Sequence, residues 1–294
     1  MKKAGRKLAG RYRVGAGGQF RLEGWDPADT AGLALTKEEA ATLLGKGADE
    51  LLALQDKLYA QDRWAVLLVF QGMDAAGKDG TIKHVMSGVN PQGVQVHSFK
   101  EPSAEELDHD FLWRASRRLP ERGNIGIFNR SHYEEVLVVR VHEEILEAQK
   151  LPPELVTKKI WEERYDDINS FERHLDRNGT VIRKFFLNVS REEQKKRLLA
   201  RLDDPDKNWK FSSADAEERR LWKEYVRAYE EMIAATSTKW APWYAVPADN
   251  KWFTRIVVSS VITQTLEDLD LSYPKIGTKK RRELARVRKV IARS

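Results

Sequence analysis

The sequence predicts an α/β chain: one parallel sheet flanked by helices on both faces, in three layers. Three observations predict it. Apolar runs at 64–71, 93–99, 124–129, 180–189 and 243–248 alternate with helical stretches. The first of them, "WAVLLVFQ", is apolar almost without a break, as in a strand buried on both faces. It leads directly into "GMDAAGKDGTIKHVM", a glycine-bounded loop with one lysine and then a helix pattern. That is how a phosphate-binding loop is built. The expected class is therefore a P-loop kinase-like fold with a helical lid at about 195–220.

Residues 1–35 read as a basic, glycine-containing arm, flexible or draped over the body. At Thr36 the pattern turns helical. Thr36 with Glu39 makes a capping box, and Leu43, Leu44, Leu51, Leu52, Leu54 and Leu58 form an apolar stripe. The main domain is expected over 36–270. Further helical segments are expected at 77–88, 103–119, 131–150, 153–177, 190–203, 213–236 and 249–269. The tail, 271–294, is strongly basic, and "KKRRELARVRK" suggests a short helix. No internal repeat or low-complexity block interrupts this order.

Composition narrows the classes of function. Cysteine is absent, which excludes a disulfide framework, a thiolate metal site and a thiol nucleophile. The net charge of +6 favours anionic partners such as nucleic acid, acidic membrane or phosphate polymers. The start is basic but lacks the apolar stretch of a signal peptide. No run approaches the length of a membrane span. A soluble cytoplasmic chain without a membrane partner is the expectation.

"GMDAAGK" satisfies G-x4-G-K from Gly72 to Lys78. The glycines let the backbone approach an anion, successive N–H groups form a nest, and the following helix adds the positive end of its dipole. The expected phosphate-binding set is Gly72, Ala75, Ala76, Gly77, Asp79, Gly80 and Thr81, with Lys78 as the point charge. Two acids complicate this loop. Asp79 stands where a nucleotide-hydrolysing loop carries Ser or Thr, and Thr81 comes two positions late. Asp79 reads better as a helix-start carboxylate favoured by the dipole. Asp74 repels an anion unless a cation stands between them. It either faces Mg²⁺ and a metal-bridged phosphate, or stabilises the turn as an Asx residue.

A second constellation is "IGIFNRSHYEE". A metal-holding acid is expected at the end of this strand, but the strand ends on Asn129. Glu134 is the candidate to supply the missing carboxylate, against the plainer reading of an exposed helix acid. Arg130 is either a phosphate-binding cation or a surface ion-pair partner. His132 reads as a packed or capping histidine. Arg197 and Arg201 lie four apart on one helix face, where a P-loop kinase carries its lid. Lys207, Trp209 and Lys210 follow, with Arg183 and Lys184 as further lid candidates.

At this point several motifs in order carry a resemblance. "GMDAAGKDGTIKHVMSGVNPQGVQVHSFKEPSAEELDHDFLWR", "IFNRSHYEEVLVVRVH", "KFFLNVSREEQKKRL", "DPDKNWKFSSAD" and "APWYAVPADNKWFTR" together resemble the polyphosphate kinase 2 family over roughly 50–270. "FNRSHYEE" looks like the third class of that family. The resemblance implies an enzyme that moves the terminal phosphate of inorganic polyphosphate to nucleoside mono- and diphosphates, AMP to ADP to ATP, reversibly. Commoner members carry "FDRSWYNR". This chain departs at Asn129, His132, Glu134 and Glu135, so no metal-ligand role is carried over to Asn129.

The resemblance further implies that Asp74 helps hold Mg²⁺, or Mn²⁺ in its place, and orients the acceptor near Lys78 and Arg130. Catalysis is expected from Asp74, Lys78, Arg130 and Glu134, with Asp74 and Glu134 at the metal. The donor groove is expected along Lys83, His84, Lys100, Arg114, Arg117, Arg118 and Arg122. Partners are polyphosphate, purine and then pyrimidine nucleotides, and a second copy in a dimer or tetramer. Two other readings remain to be weighed. An ATP-dependent small-molecule kinase predicts Ser or Thr after Lys78, which is absent. A basic nucleic-acid-binding protein would rest on the C-terminal run, which reads more simply as a solvated or subunit-contacting tail.

Overall fold

The computed structural model describes residues 2–206, 208 and 217–293. The expected lid residues Lys207, Trp209 and Lys210 lie outside them. Five strands form one all-parallel sheet: β1 (Ala65–Gln71), β2 (Val94–Ser98), β3 (Ile125–Asn129), β4 (Thr180–Asn188) and β5 (Trp243–Pro247). Their order is β2-β3-β1-β4-β5. Every expected strand contains one of them.

The longer helices are α1 (Lys2–Arg11), α2 (Lys37–Gln61), α3 (Lys78–Val85), α4 (Ile160–Arg177), α5 (Arg191–Leu202), α6 (Trp222–Thr236), α7 (Lys251–Glu267) and α8 (Thr278–Ile291). Strand periodicity divides the core in two. Val66, Leu68 and Phe70 of β1 face a layer built by α2, α3 and α7. Leu67 and Val69 face the opposite layer, built by α4 and α6. All seven β1 residues are buried, which is why the run carries so few polar groups.

The capping box at Thr36 forms: its hydroxyl accepts from Glu39 N–H at 3.2 Å, and the Glu39 carboxylate accepts from Thr36 N–H at 2.8 Å. The apolar stripe of α2 is narrower than expected. Leu51 and Leu58 are fully buried, while Leu52 is 39% exposed. Two expected helices are broken. Over 103–119, Asp110 accepts from the N–H of Leu112 at 2.9 Å, and this local turn competes with the helix. Only Ala104–Leu107 and Trp113–Ser116 are helical. Over 131–150 the valine-rich run is a poor helix former. Leu137 and His142 leave helical geometry and split it into three short pieces.

The N-terminal arm is draped rather than loose. α1 packs along α7. Ala9, Tyr12, Val14 and Phe20 are buried. Val14 N–H donates to the Trp243 carbonyl and Ala245 N–H to the Tyr12 carbonyl, both at 2.9 Å. The arm thereby covers the exposed edge of β5.

Candidate active site

β1 delivers the chain to Gly72, where φ is 155°. A Cβ here would meet the Leu187 carbonyl at 3.0 Å and the Ala76 Cβ at 3.2 Å, so the turn requires glycine. Ala75 (φ 59°) and Gly77 (φ 102°) are left-handed as well. Gly77 then leads into α3, whose first-turn N–H groups point at whatever lies beyond the loop.

The loop is held from outside by α5. Arg197 donates to the carbonyls of Ala75 (3.1 Å), Ala76 (3.0 Å), Ala248 (2.6 Å) and Asp249 (3.0 Å) and pairs with Glu193 at 2.9 Å. Gln194 donates to the Asp74 carbonyl at 3.1 Å. This corrects the reading of Arg197 as a lid arginine. Its guanidinium is committed to backbone, and it acts as a clamp that fixes the loop against β5.

Lys78 reaches back to the carbonyls of Gly72 at 2.5 Å and Met73 at 3.4 Å. Desolvation, then the charge of Arg130, pushes its pKa down to about 8, while Asp74, Glu134 and Asp79 pull the other way. Arg130 follows β3 with φ 60°, uncommon for a side chain. That geometry is fixed by its N–H, which donates to the Phe70 carbonyl at 3.0 Å. Its guanidinium lies between two acids, 3.0 Å from Asp74 and 3.5 Å from Glu134. Glu134 first, and Asp74 after it, raise the pKa of Arg130 against the effect of burial.

Asn129 donates its amide to Asp79 at 2.6 Å. The two departures from the usual nucleotide-binding pattern therefore answer each other. The amide that replaces the strand-end acid holds the acid that replaces the hydroxyl after the lysine.

Asp74, Lys78, Asp79, Asn129, Arg130 and Arg197 line one cavity of about 850 Å³, outside the carboxyl ends of the strands, where ligands of open α/β sheets bind; Glu134 is tied to it through Arg130. Gly72 is reached from it through Lys78, whose ammonium donates to the Gly72 carbonyl. Ala75, Ala76, Gly77, Asp79, Gly80 and Thr81 line it with Asn129, Arg130 and Arg201. Two further walls were not anticipated. One is Ser98, Phe99 and Glu101 beside the expected Lys100. The other is Ala248, Lys251, Thr254 and Arg255 from β5 and α7. Arg255 and Lys100 form no side-chain ion pair or hydrogen bond among the described residues, and desolvation alone lowers the pKa of Arg255.

Tyr229 of α6 was also missed. It is buried, with Glu134, Arg130 and Asp74 in electrostatic reach, and burial above all pushes its pKa well up. The sequence signal was the i, i+4 pair Tyr225 and Tyr229 on one helix face.

Most expected donor-groove residues lie elsewhere. Lys83 and His84 are exposed on the outer face of α3, and His84 Nδ1 is 2.9 Å from the Gly80 carbonyl. Arg117 and Arg118 are exposed outside the cavity. Arg117 stacks over Trp113 and pairs with Glu105. Arg114 is 6% exposed and is structural: it donates to the Lys100 carbonyl and faces Glu106 and Glu135. Arg122 bonds the Arg63 carbonyl at the amino end of the sheet. Arg183 bonds Thr265, and Lys184 is fully buried on Glu172. Neither can belong to a lid. His132 is a packed histidine, fully buried, with its pKa pushed down to about 3 by desolvation.

Asp74 and Glu134 present hard carboxylate oxygens, the right donor type for Mg²⁺ or Mn²⁺. Among the described residues no group of three His, Asp or Glu could hold a metal by itself.

The family model described as polyphosphate kinase 2 matches residues 34–274. An ADP-polyphosphate phosphotransferase of Rhodopseudomonas palustris is 54% identical over 279 residues, 95% of this chain and 96% of that protein. An AMP/ADP-polyphosphate phosphotransferase of Meiothermus ruber is 47% identical over 268 residues, 91% of this chain and 96% of that protein. Among solved structures, a polyphosphate kinase 2 from Arthrobacter aurescens matches with a TM-score of 0.85 at 42% identity. It covers 95% of this chain and 96% of that one.

Proposed function

The chain belongs to the polyphosphate kinase 2 family, and from that premise we propose that it phosphorylates both nucleoside mono- and diphosphates from inorganic polyphosphate with Mg²⁺. One observation carries the site assignment: Lys78 and Arg130 lie with Asp74 and Glu134 beside a glycine-built phosphate loop. The relatives named for ADP and for AMP/ADP as acceptors support the range of acceptors.

The reaction joins two polyanions. A terminal oxygen of the acceptor phosphate attacks the end phosphorus of the polymer. The bond to the next bridging oxygen breaks, and the shortened chain leaves with the electron pair. Little covalent help is needed; in-line positioning and charge neutralisation do the work. The loop N–H groups and Lys78 hold the transferring phosphate. Arg130, kept protonated by Glu134 and Asp74, neutralises charge on the equatorial oxygens. Arg197 keeps the loop from yielding. When bound, Mg²⁺ would be held through Asp74 and Glu134 and would supply charge neutralisation to the phosphates. Lys100, Arg201, Lys251 and Arg255 surround the site with the positive charge a long polyanion requires.

The test uses purified protein, Mg²⁺ and long-chain polyphosphate without ATP. AMP goes in one tube and ADP in another, and nucleotides are separated by chromatography. ADP and ATP from the first tube, and ATP from the second, are expected. Product from ADP alone would remove the monophosphate acceptor. No product in either tube would overturn the reading.

A further inference from the structure

The basic run at the end of the chain takes no part in the phosphate cavity, whose lining includes no residue beyond Arg255. Between Lys275 and Arg293 stand nine lysines and arginines against the single acid Glu283, a net charge of +8. The whole chain carries +6, so the rest of it carries a net −2. Every residue from Ser272 to Arg293 is exposed. α8 holds seven of these cations and buries none of its side chains. Lys280 pairs with Glu283 at 2.8 Å. The other six have no side-chain ion pair or hydrogen bond among the described residues.

The cations of α8 do not ring the helix. Leu284, Val287 and Ile291 share one face at i, i+3 and i+7, with Val290 beside them. These four side chains stand in water, Leu284 and Val287 at 45% exposure and Val290 at 69%. Lys279, Arg282, Arg286 and Lys289 fall on the opposite face. A helix of 14 residues is marginal alone in water, and Arg282 and Arg286 add a like-charge i, i+4 pair. A covering surface must therefore suit both faces. A phosphate polymer or a nucleic acid would engage the cations and leave the stripe in water. An apolar protein groove would cover the stripe and leave the cations unpaired. The boundary of an anionic bilayer suits both, with acyl chains for the stripe and headgroup charge for the lysines and arginines.

We propose that α8 lies flat in the interface of an anionic lipid bilayer and holds the protein on that surface. The seat is peripheral. No helix among the described residues is long and apolar enough to cross a membrane, and a helix lying in the interface needs no span. The expectation of no membrane partner rested on the want of a span alone. The net −2 of the rest of the chain gives it no attraction of its own to such a surface, so the attraction resides in the tail. The chain path suits a projecting anchor. The Tyr273 hydroxyl donates to Asp56 of α2 at 2.5 Å, which moors the start of the tail to the body. Only Pro274 to Gly277 connect that mooring to α8.

Vesicles test this without reference to phosphotransfer. The full chain is sedimented with vesicles of phosphatidylcholine, alone or mixed with phosphatidylglycerol. Binding to the mixed vesicles only is expected, and it should weaken as salt rises. No binding to them would overturn the proposal. Leu284→Gln with Val287→Gln keeps every charge, and α8 buries no side chain, so the fold stays intact. This variant should bind the mixed vesicles about tenfold more weakly, the scale of two aliphatic side chains kept out of the acyl region. Unchanged binding would mean charge attraction alone and would sink the seating. The chain has no cysteine, so Leu284→Cys and Lys289→Cys can each carry a single environment-sensitive fluorophore. A blue shift on mixed vesicles is expected at 284 and not at 289 on the other face. Equal shifts, or none, would overturn the orientation and the proposal with it. Long-chain polyphosphate and duplex DNA are the competing ligands. Capture of either one that survives Leu284→Gln with Val287→Gln, without vesicle binding, would give α8 to a polyanion instead.

Discussion

Lys78, at the start of α3, and Lys184, on β4, are both lysines set among carboxylates, and their surroundings give them opposite tasks. Lys184 is wholly buried. Its ammonium donates to Glu172 at 2.5 Å, Tyr133 Oη at 2.8 Å and the Thr236 carbonyl at 2.8 Å. All three of its protons are used. Lys78 opens onto the cavity and rests on two carbonyls of its own loop. The nearby Asp74 and Glu134 are held off by Arg130. A lysine with every donor satisfied ties helix to sheet. A lysine whose counter-ions are claimed by another cation is ready for an incoming anion.

Removing each lysine should separate the two tasks. Lys184→Ala strands the buried Glu172, and burial already raises that acid's pKa. The expected loss of stability is about 3–5 kcal/mol, read from the urea midpoint. Lys184→Met with Glu172→Leu should recover most of it. An unchanged midpoint in the single variant would erase the contrast. Lys78→Ala should leave the midpoint nearly unmoved while kcat/KM falls about 10²–10³-fold, the scale of one lost transition-state donor. Full activity with a native fold would remove the loop lysine from the mechanism.

pH sharpens the same contrast. The pKa of Lys78 lies at about 8 in the folded chain, against 10.5 for an ordinary lysine. As pH rises through about 8 the ammonium is lost, so kcat/KM should fall on the alkaline side. Stability moves the other way. Between about 8 and 10.5 the unfolded chain keeps a proton that the folded chain has released, so this group's contribution to stability rises with pH. Lys78→Arg should shift the alkaline limb of kcat/KM upward. A limb that stays in place belongs to another group.

The two lysines also mark what the sequence can and cannot reveal. All five strands and the phosphate loop were legible, because buried parallel strands must be apolar and Gly72 and Gly77 are forced by their dihedrals. Lys184 was misread. A basic residue in "RKFF" has the same appearance whether it faces solvent or a buried glutamate on α4, twelve residues earlier in the chain. Arg114 was misread for the same reason, since Glu135 reaches it only in three dimensions. Lys251, Thr254 and Arg255 were missed because 249–269 reads as an ordinary layer helix. What turns its first turns into a cavity wall is the parallel placement of β5, which no local pattern encodes.

Arg197 offers a middle case: a cation paired with Glu193 through Nε and with both terminal nitrogens directed at backbone beside the site. Arg197→Ala frees the carbonyls of Ala75 and Ala76 at the cavity wall. kcat should fall about tenfold, equivalent to about 1.4 kcal/mol, with a smaller change in KM. Arg197→Lys, which cannot fork across four carbonyls, should rescue little. Rescue by lysine would make it a simple point charge rather than a clamp.

The smallest effect should come from Arg255, which stands at the other extreme from Lys184. It lines the cavity with no side-chain ion pair or hydrogen bond among the described residues, so none is lost when it is replaced. Its positive charge can act on a long polyanion equally before and during transfer. Such uniform binding sets KM and leaves kcat alone. Arg255→Gln should therefore raise KM for long-chain polyphosphate about three- to fivefold, the scale of one screened charge contact, with kcat unchanged. The effect should shrink as salt rises, because the contact is open to solvent. A fall in kcat instead would move Arg255 from the approach to the donor into the transition state, and the division between balanced and unbalanced cations would have to be redrawn.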